Sequence, residues 1–74
     1  MPEVTYAYDA MYPLWRAKIY GCEIAVLEQV EWEALVSYGT DLQRSRLFFS
    51  TKTAREWIED NARDLADHET RDDL

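Results

Sequence analysis

Between Leu14 and Tyr20 the apolar residues Trp15, Ala17 and Ile19 alternate with Arg16, Lys18 and Tyr20. A period of two is that of a strand with one face buried. Gly21-Cys22 interrupts the alternation, and it resumes afterwards. Glycine at the first central position suits a two-residue type II′ hairpin, which needs a positive φ there. That register pairs Tyr20 with Glu23, Ile19 with Ile24 and Ala17 with Val26.

From Cys22 to Tyr38 one parity is almost wholly apolar: Cys22, Ile24, Val26, Val30, Trp32, Ala34, Val36 and Tyr38, broken only by Glu28. A single strand of that length would reach ~55 Å, too long for a small domain. The chain is therefore expected to turn between Glu28 and Glu33. Keeping one parity inward across an antiparallel turn requires an odd loop. A three-residue loop at Val30-Glu31-Trp32 satisfies this and pairs Val26 with Val36. A helix from Glu23 to Tyr38, closed by Gly39, also fits the spacing of Leu27, Val30, Ala34, Leu35 and Tyr38. The β-branched Ile24, Val26, Val30 and Val36 favour strands.

Gly39-Thr40-Asp41 reads as a turn and Leu42 to Ser45 as a polar connection. Arg46 to Phe49 reads as a short strand. The period then changes to that of a helix. Ala54, Trp57, Ile58, Asn61, Ala62 and Leu65 recur at spacings of three and four, which places them on one face. Ser50, Thr51 and Thr53 can each cap its first turn, because a hydroxyl accepts a bond from an unpaired N–H there. Thr53 with Glu56 also fits a capping box. Upstream, Val4, Tyr6 and Tyr8 alternate within an N-terminal arm, 1–13, that can pair at a sheet edge or lie across the core. Pro13 restricts Tyr12 to extended backbone. The expected fold is α+β: a three- or four-stranded antiparallel β-meander over 14–49, with one C-terminal α-helix over 51–67 packed on the sheet. A charged tail, 68–74, is expected to fray.

Length and charge change this picture in two ways. Seventy-four residues form one small domain, and a chain this short has a marginal core. Cys22 is the only cysteine, so no internal disulfide reinforces it. A second copy of the chain or a partner that completes the core is therefore a reasonable expectation. No apolar run approaches the ~20 residues of a membrane span, and no leader pattern is evident. A cytoplasmic location is expected.

The net charge of −7 is unevenly placed. From Glu56 onward eight carboxylates stand against two arginines, whereas residues 1–55 are nearly balanced. Glu56, Glu59, Asp60, Asp64 and Asp67 fall mainly on the helix face opposite the apolar one. An acidic face repels the phosphates of nucleic acid and membranes and attracts a basic protein surface. The same charges also serve as a solvated face that keeps the protein soluble. The functional expectation is a small acidic, non-enzymatic protein-binding module that docks through Glu56, Glu59, Asp60, Asp64 and Asp67. Its sharpest form is a viral or mobile-element inhibitor that imitates nucleic acid and blocks a nucleic-acid-handling complex. The aromatic residues Trp15, Trp32, Tyr6, Tyr8 and Tyr12 exceed what a small core needs and offer a second anchoring surface.

The alternative is a nucleic-acid-binding sheet. Arg16, Lys18, Arg44 and Arg46 are its basic set, with Arg16 and Lys18 on the face opposite Trp15. The pattern Phe49-Ser50-Thr51, Ala54, Trp57 resembles the three-strand-plus-helix DNA-binding domains at the N-termini of phage-type integrases, over the strand-to-helix segment alone. That resemblance implies DNA binding by the sheet. Those domains are basic and this chain is acidic, and phosphate neutralisation supplies most of such affinity.

Catalytic chemistry finds little support. Cys22 and His68, the candidate thiol and imidazole, lie at opposite ends of the chain. Asp64 and His68 are four apart on the helix, with Asp67 nearby, but three ligands near a fraying end make a poor metal site. Two glycines, Gly21 and Gly39, cannot build a phosphate loop. No cofactor or metal is expected.

Overall fold

Five strands follow one another as neighbours in a single antiparallel sheet: β1 (Thr5–Asp9), β2 (Leu14–Ile19), β3 (Cys22–Val30), β4 (Glu33–Tyr38) and β5 (Arg44–Phe48). Two helices, α1 (Thr51–Asp60) and α2 (Ala62–Arg71), pack across one face. The structure, a computed structural model, describes residues 3–71, with side chains described as far as residue 67. Of the expected tail, 68–74, residues 68–71 continue α2 instead, and 72–74 lie outside the described residues.

The architecture is the α+β meander read from the sequence, with more strands. The N-terminal arm pairs with β2 as an edge strand, from Thr5 opposite Lys18 to Asp9 opposite Leu14. Residues 23–38 form two strands rather than a helix. The connection into β5 contains a short 3-10 turn, Thr40–Leu42. Gly39 there has φ 81°, and a Cβ on it would come within 3.3 Å of Arg44 Cδ.

The hairpin registers differ from the expected ones. The β2–β3 turn is Tyr20-Gly21, closed by Ile19 opposite Cys22. Both turn residues have positive φ, 53° and 78°, as a type I′ turn requires. A β-bulge follows: Lys18 faces Glu23 but Ala17 faces Ala25, so Ile24 is the extra residue. Ile24 and Ala25 are consequently both buried against the helices. The inward parity of β3 changes at that point, and Leu27 rather than Val26 then faces the core. With the phase shifted, an even loop serves the next hairpin. Glu31-Trp32 is that loop, with Val30 opposite Glu33 and Glu31 at φ 57°. Val36 therefore pairs with Leu27, and Val26 pairs with Ser37.

The ladders align residues in rows across the sheet. Tyr8, Trp15, Leu27, Val36 and Arg46 form one row on the helix side, and Tyr6, Ala17, Ala25, Tyr38 and Arg44 form another. The opposite, outer face carries the row Asp9, Leu14, Glu28, Leu35 and Leu47. The core lies between the helix-side rows and Ala54, Ile58, Ala62 and Leu65. Ile24, Leu27, Val36 and Ile58 are its largest fully buried side chains, each contributing roughly 1.5–3 kcal/mol through burial.

Ser50 is the helix N-cap: its Oγ accepts from the Thr53 backbone N–H at 3.2 Å. The expected single helix is interrupted at Asn61, where φ is −111° and ψ 11°. Backbone bonds still run through the break, from Asn61 N–H to Trp57 O and from Leu65 N–H to Asn61 O. The Asn61 side-chain amide also donates to Trp57 O at 2.9 Å. The apolar face read from the sequence therefore survives the break, with Trp57 half-buried against Tyr38 and Phe48.

Candidate partner-binding surface

The helix spacing that buries Ala54, Ile58, Ala62 and Leu65 turns Glu56, Glu59, Asp60, Asp64 and Asp67 outward, and all five are exposed. They do not share one environment. Glu59 Oε2 accepts a 2.8 Å bond from the Tyr6 hydroxyl on β1. The Arg55 guanidinium lies over the same phenol ring, 5.0 Å from its centroid. Burial of the phenol pushes its pKa up to about 12; Glu59 adds to the rise and Arg55 opposes it. This three-residue association was invisible in the sequence because 53 positions separate Tyr6 from Glu59.

Glu56, Asp60, Asp64 and Asp67 form a stripe along α1 and α2, with Arg63 inside it. Among the described residues the ion pairs lie elsewhere. Arg16 holds both Asp9, at 3.4 Å, and Glu23, at 3.0 Å, on the outer face of the sheet. Glu23 foremost, then Asp9, raises the pKa of that guanidinium. Partial desolvation would raise that of Asp9, but the N–H groups of Met11 and Tyr12 and the Arg16 charge outweigh it and hold it below the ordinary value. The sheet's acids are thus partly compensated while the helix stripe is not.

The basic set is divided. Arg16 and Lys18 lie on the outer face, as expected, with Arg16 engaged by two carboxylates. Arg44 and Arg46 belong to the helix-side rows. The Arg46 guanidinium sits 5.3 Å from the Phe48 ring centroid and 5.6 Å from that of Trp57. No one face therefore gathers all four.

Two of the open grooves among the described residues lie beside the helices. One, of about 410 Å³, runs between the β4–β5 connection and the helix break, bordered by Tyr38, Arg44, Trp57, Asn61 and Asp64. The other, of about 310 Å³, lies between β1 and the start of α1, beside Tyr8, Trp15, Gln29 and Arg55. Among the described residues the buried set is wholly apolar, so the described carboxylates all meet solvent. Cys22 is exposed at the start of β3. The His68 side chain lies outside the described residues, so its spacing to Asp64 stays a matter of sequence. Of the aromatic residues named from the sequence, Tyr8, Tyr12 and Trp32 are exposed, and Tyr6 and Trp15 are half-buried. Comparison of the chain with protein-family models, with curated proteins and with solved structures finds no match.

Proposed function

We propose that this protein is a non-enzymatic binding module whose acidic stripe on α1 and α2 docks on a basic surface of another protein. The supporting observation is the contrast in compensation. Asp9 and Glu23 on the sheet are held by Arg16, whereas Glu56, Asp60, Asp64 and Asp67 project into solvent side by side without an ion pair among the described residues. Such a stripe steers a basic partner and takes its counter-charges from that partner.

The sharpest form of this reading is an inhibitor that imitates nucleic acid. The stripe together with Glu59 beside it places five carboxylates along ~16 Å of helix axis, one charge per ~4 Å. One strand of DNA offers one per ~3.4 Å. The densities are close enough for a phosphate-binding protein to accept the stripe, although Arg63 dilutes it. In that form the module is a viral or mobile-element inhibitor that docks on a nucleic-acid-handling complex.

Affinity capture from the source cell, with and without nuclease, tests the reading. A stoichiometric basic protein that survives nuclease is expected. Combining Glu56→Lys, Asp60→Lys and Asp64→Lys should then abolish capture while the thermal transition is retained. Glu59 is left in place because it accepts from Tyr6. Unchanged capture by the triple variant removes the proposal. Capture that disappears with nuclease transfers the function to the nucleic-acid-binding sheet.

A further inference from the structure

We propose that the outer face of the sheet over β3, β4 and β5 is a second docking surface, and that its occupant is a basic amphipathic helix of another protein. The helices cover the opposite face, so nothing among the described residues packs over this one. Leu35 pairs with Leu47 there, and Val30 pairs with Glu33 beside them. Phe49 continues the outward alternation past buried Phe48, and Trp32 caps the adjoining hairpin. Val30 is 41% exposed, Leu47 53%, Phe49 87% and Trp32 89%. An apolar group of this kind on a monomer marks an interaction site.

The charges bordering it identify the occupant. Glu28, Glu31 and Glu33 are exposed around the patch, and none is in an ion pair among the described residues. On the β1–β2 half of the same face, Arg16 already holds Asp9 and Glu23. The open half is therefore apolar with an acidic border, and its complement is apolar with a basic border. Three adjacent strands span ~10 Å between the outer two, close to the ~10–12 Å diameter of a helix. A second copy of this chain is a poor occupant, because a two-fold stack of this face brings Glu28, Glu31 and Glu33 towards the same residues of the other copy. The surface lies across the sheet from the acidic helix stripe, so the two sites stand or fall separately.

The experiment is a titration of the isotope-labelled full chain, followed by amide and indole shifts. The probe is a synthetic peptide of ~18 residues, five helical turns, made of leucine and lysine with all leucines on one face. The control has the same composition in an order that leaves no apolar face. Saturable binding of the first peptide is expected, with shifts centred on Val30, Trp32, Leu35, Leu47 and Phe49. Combining Trp32→Ser with Phe49→Ser should weaken it by about tenfold or more at an unchanged thermal transition, since both side chains are exposed. Equal binding of the control, or indifference to the double variant, overturns the proposal. Shifts confined to α1 and α2 also overturn it and leave the acidic stripe standing. Self-association of the free chain that the double variant abolishes overturns it too, by assigning the face to a second copy.

Discussion

The Tyr6 hydroxyl donates to Glu59 Oε2 at 2.8 Å and so fastens the first strand of the sheet to the exposed side of the helix. Because the folded pKa of Tyr6 is raised from 10.0 to about 12, its contribution to stability is complete below pH 10.0. It is lost as the pH rises through about 12. Tyr6→Phe should cost about 1 kcal/mol at neutral pH. It should also remove the phenolate step near pH 12 from the ultraviolet titration. Denaturant midpoints measured from pH 9 to pH 12 should fall further for the parent chain than for the variant. Parallel decline in both would show that the bond does not form.

Tyr20 is 84% exposed and has a φ of 53°, a left-handed conformation that costs an L-residue roughly 1–2 kcal/mol. Asparagine tolerates it far better, and Asn-Gly is the preferred type I′ pair. Tyr20→Asn should raise the unfolding temperature by about 4 °C, corresponding to slightly under 1 kcal/mol in a domain of this size. A lowered temperature would contradict the turn geometry.

Ser50 and Thr53 separate two ways of starting the helix. Ser50 Oγ accepts from the Thr53 N–H and lies 3.0 Å from Thr53 Oγ1. Ser50→Ala should therefore cost about 1 kcal/mol by chemical denaturation. Thr53→Ala leaves that acceptor in place and should cost less than about half as much. The reverse order would point to a capping box built on Thr53.

Asp9 contributes to the acid limb. Its carboxylate accepts from the N–H groups of Met11 and Tyr12 and from Arg16, and its folded pKa lies below the ordinary value of 3.8. The stability it contributes is present above pH 3.8 and is lost as the pH falls through the lower folded value. Asp9→Asn keeps an acceptor for the turn but cannot titrate. Acid unfolding followed by circular dichroism should start at higher pH in the parent chain relative to its neutral stability, and be shallower in the variant. Identical acid limbs would show that other carboxylates set it.

The helix face was legible because Ala54, Ile58, Ala62 and Leu65 depend only on a local period, and local backbone bonding carries that period through Asn61. The β2 alternation was legible for the same reason. The bulge at Ile24 was not, because one residue of phase shift looks like continued alternation of Cys22, Ile24 and Val26. That shift explains why Val26 was read as inward and why an odd loop was expected at Val30-Glu31-Trp32. The Tyr20-Gly21 turn was placed one residue late because glycine was put first in the turn when it is second. At the candidate surfaces, exposure of the acidic residues followed from the helix period. Division of Arg16 and Lys18 from Arg44 and Arg46 needed the full set of registers, as did the capture of Glu59 by Tyr6.

The sheet order is simply the order of the chain, and this decides when the core can close. Each hairpin can form as it leaves the ribosome, without waiting for a distant strand. The apolar side of that nascent sheet, with Ile24, Leu27 and Val36, has no cover until the segment carrying Ala54, Ile58, Ala62 and Leu65 has been synthesised. Translation that halts after β5 therefore leaves a paired sheet with a bare inner surface, a species prone to aggregate. The helices, made after the strands, act as the seal on a sheet that is already assembled.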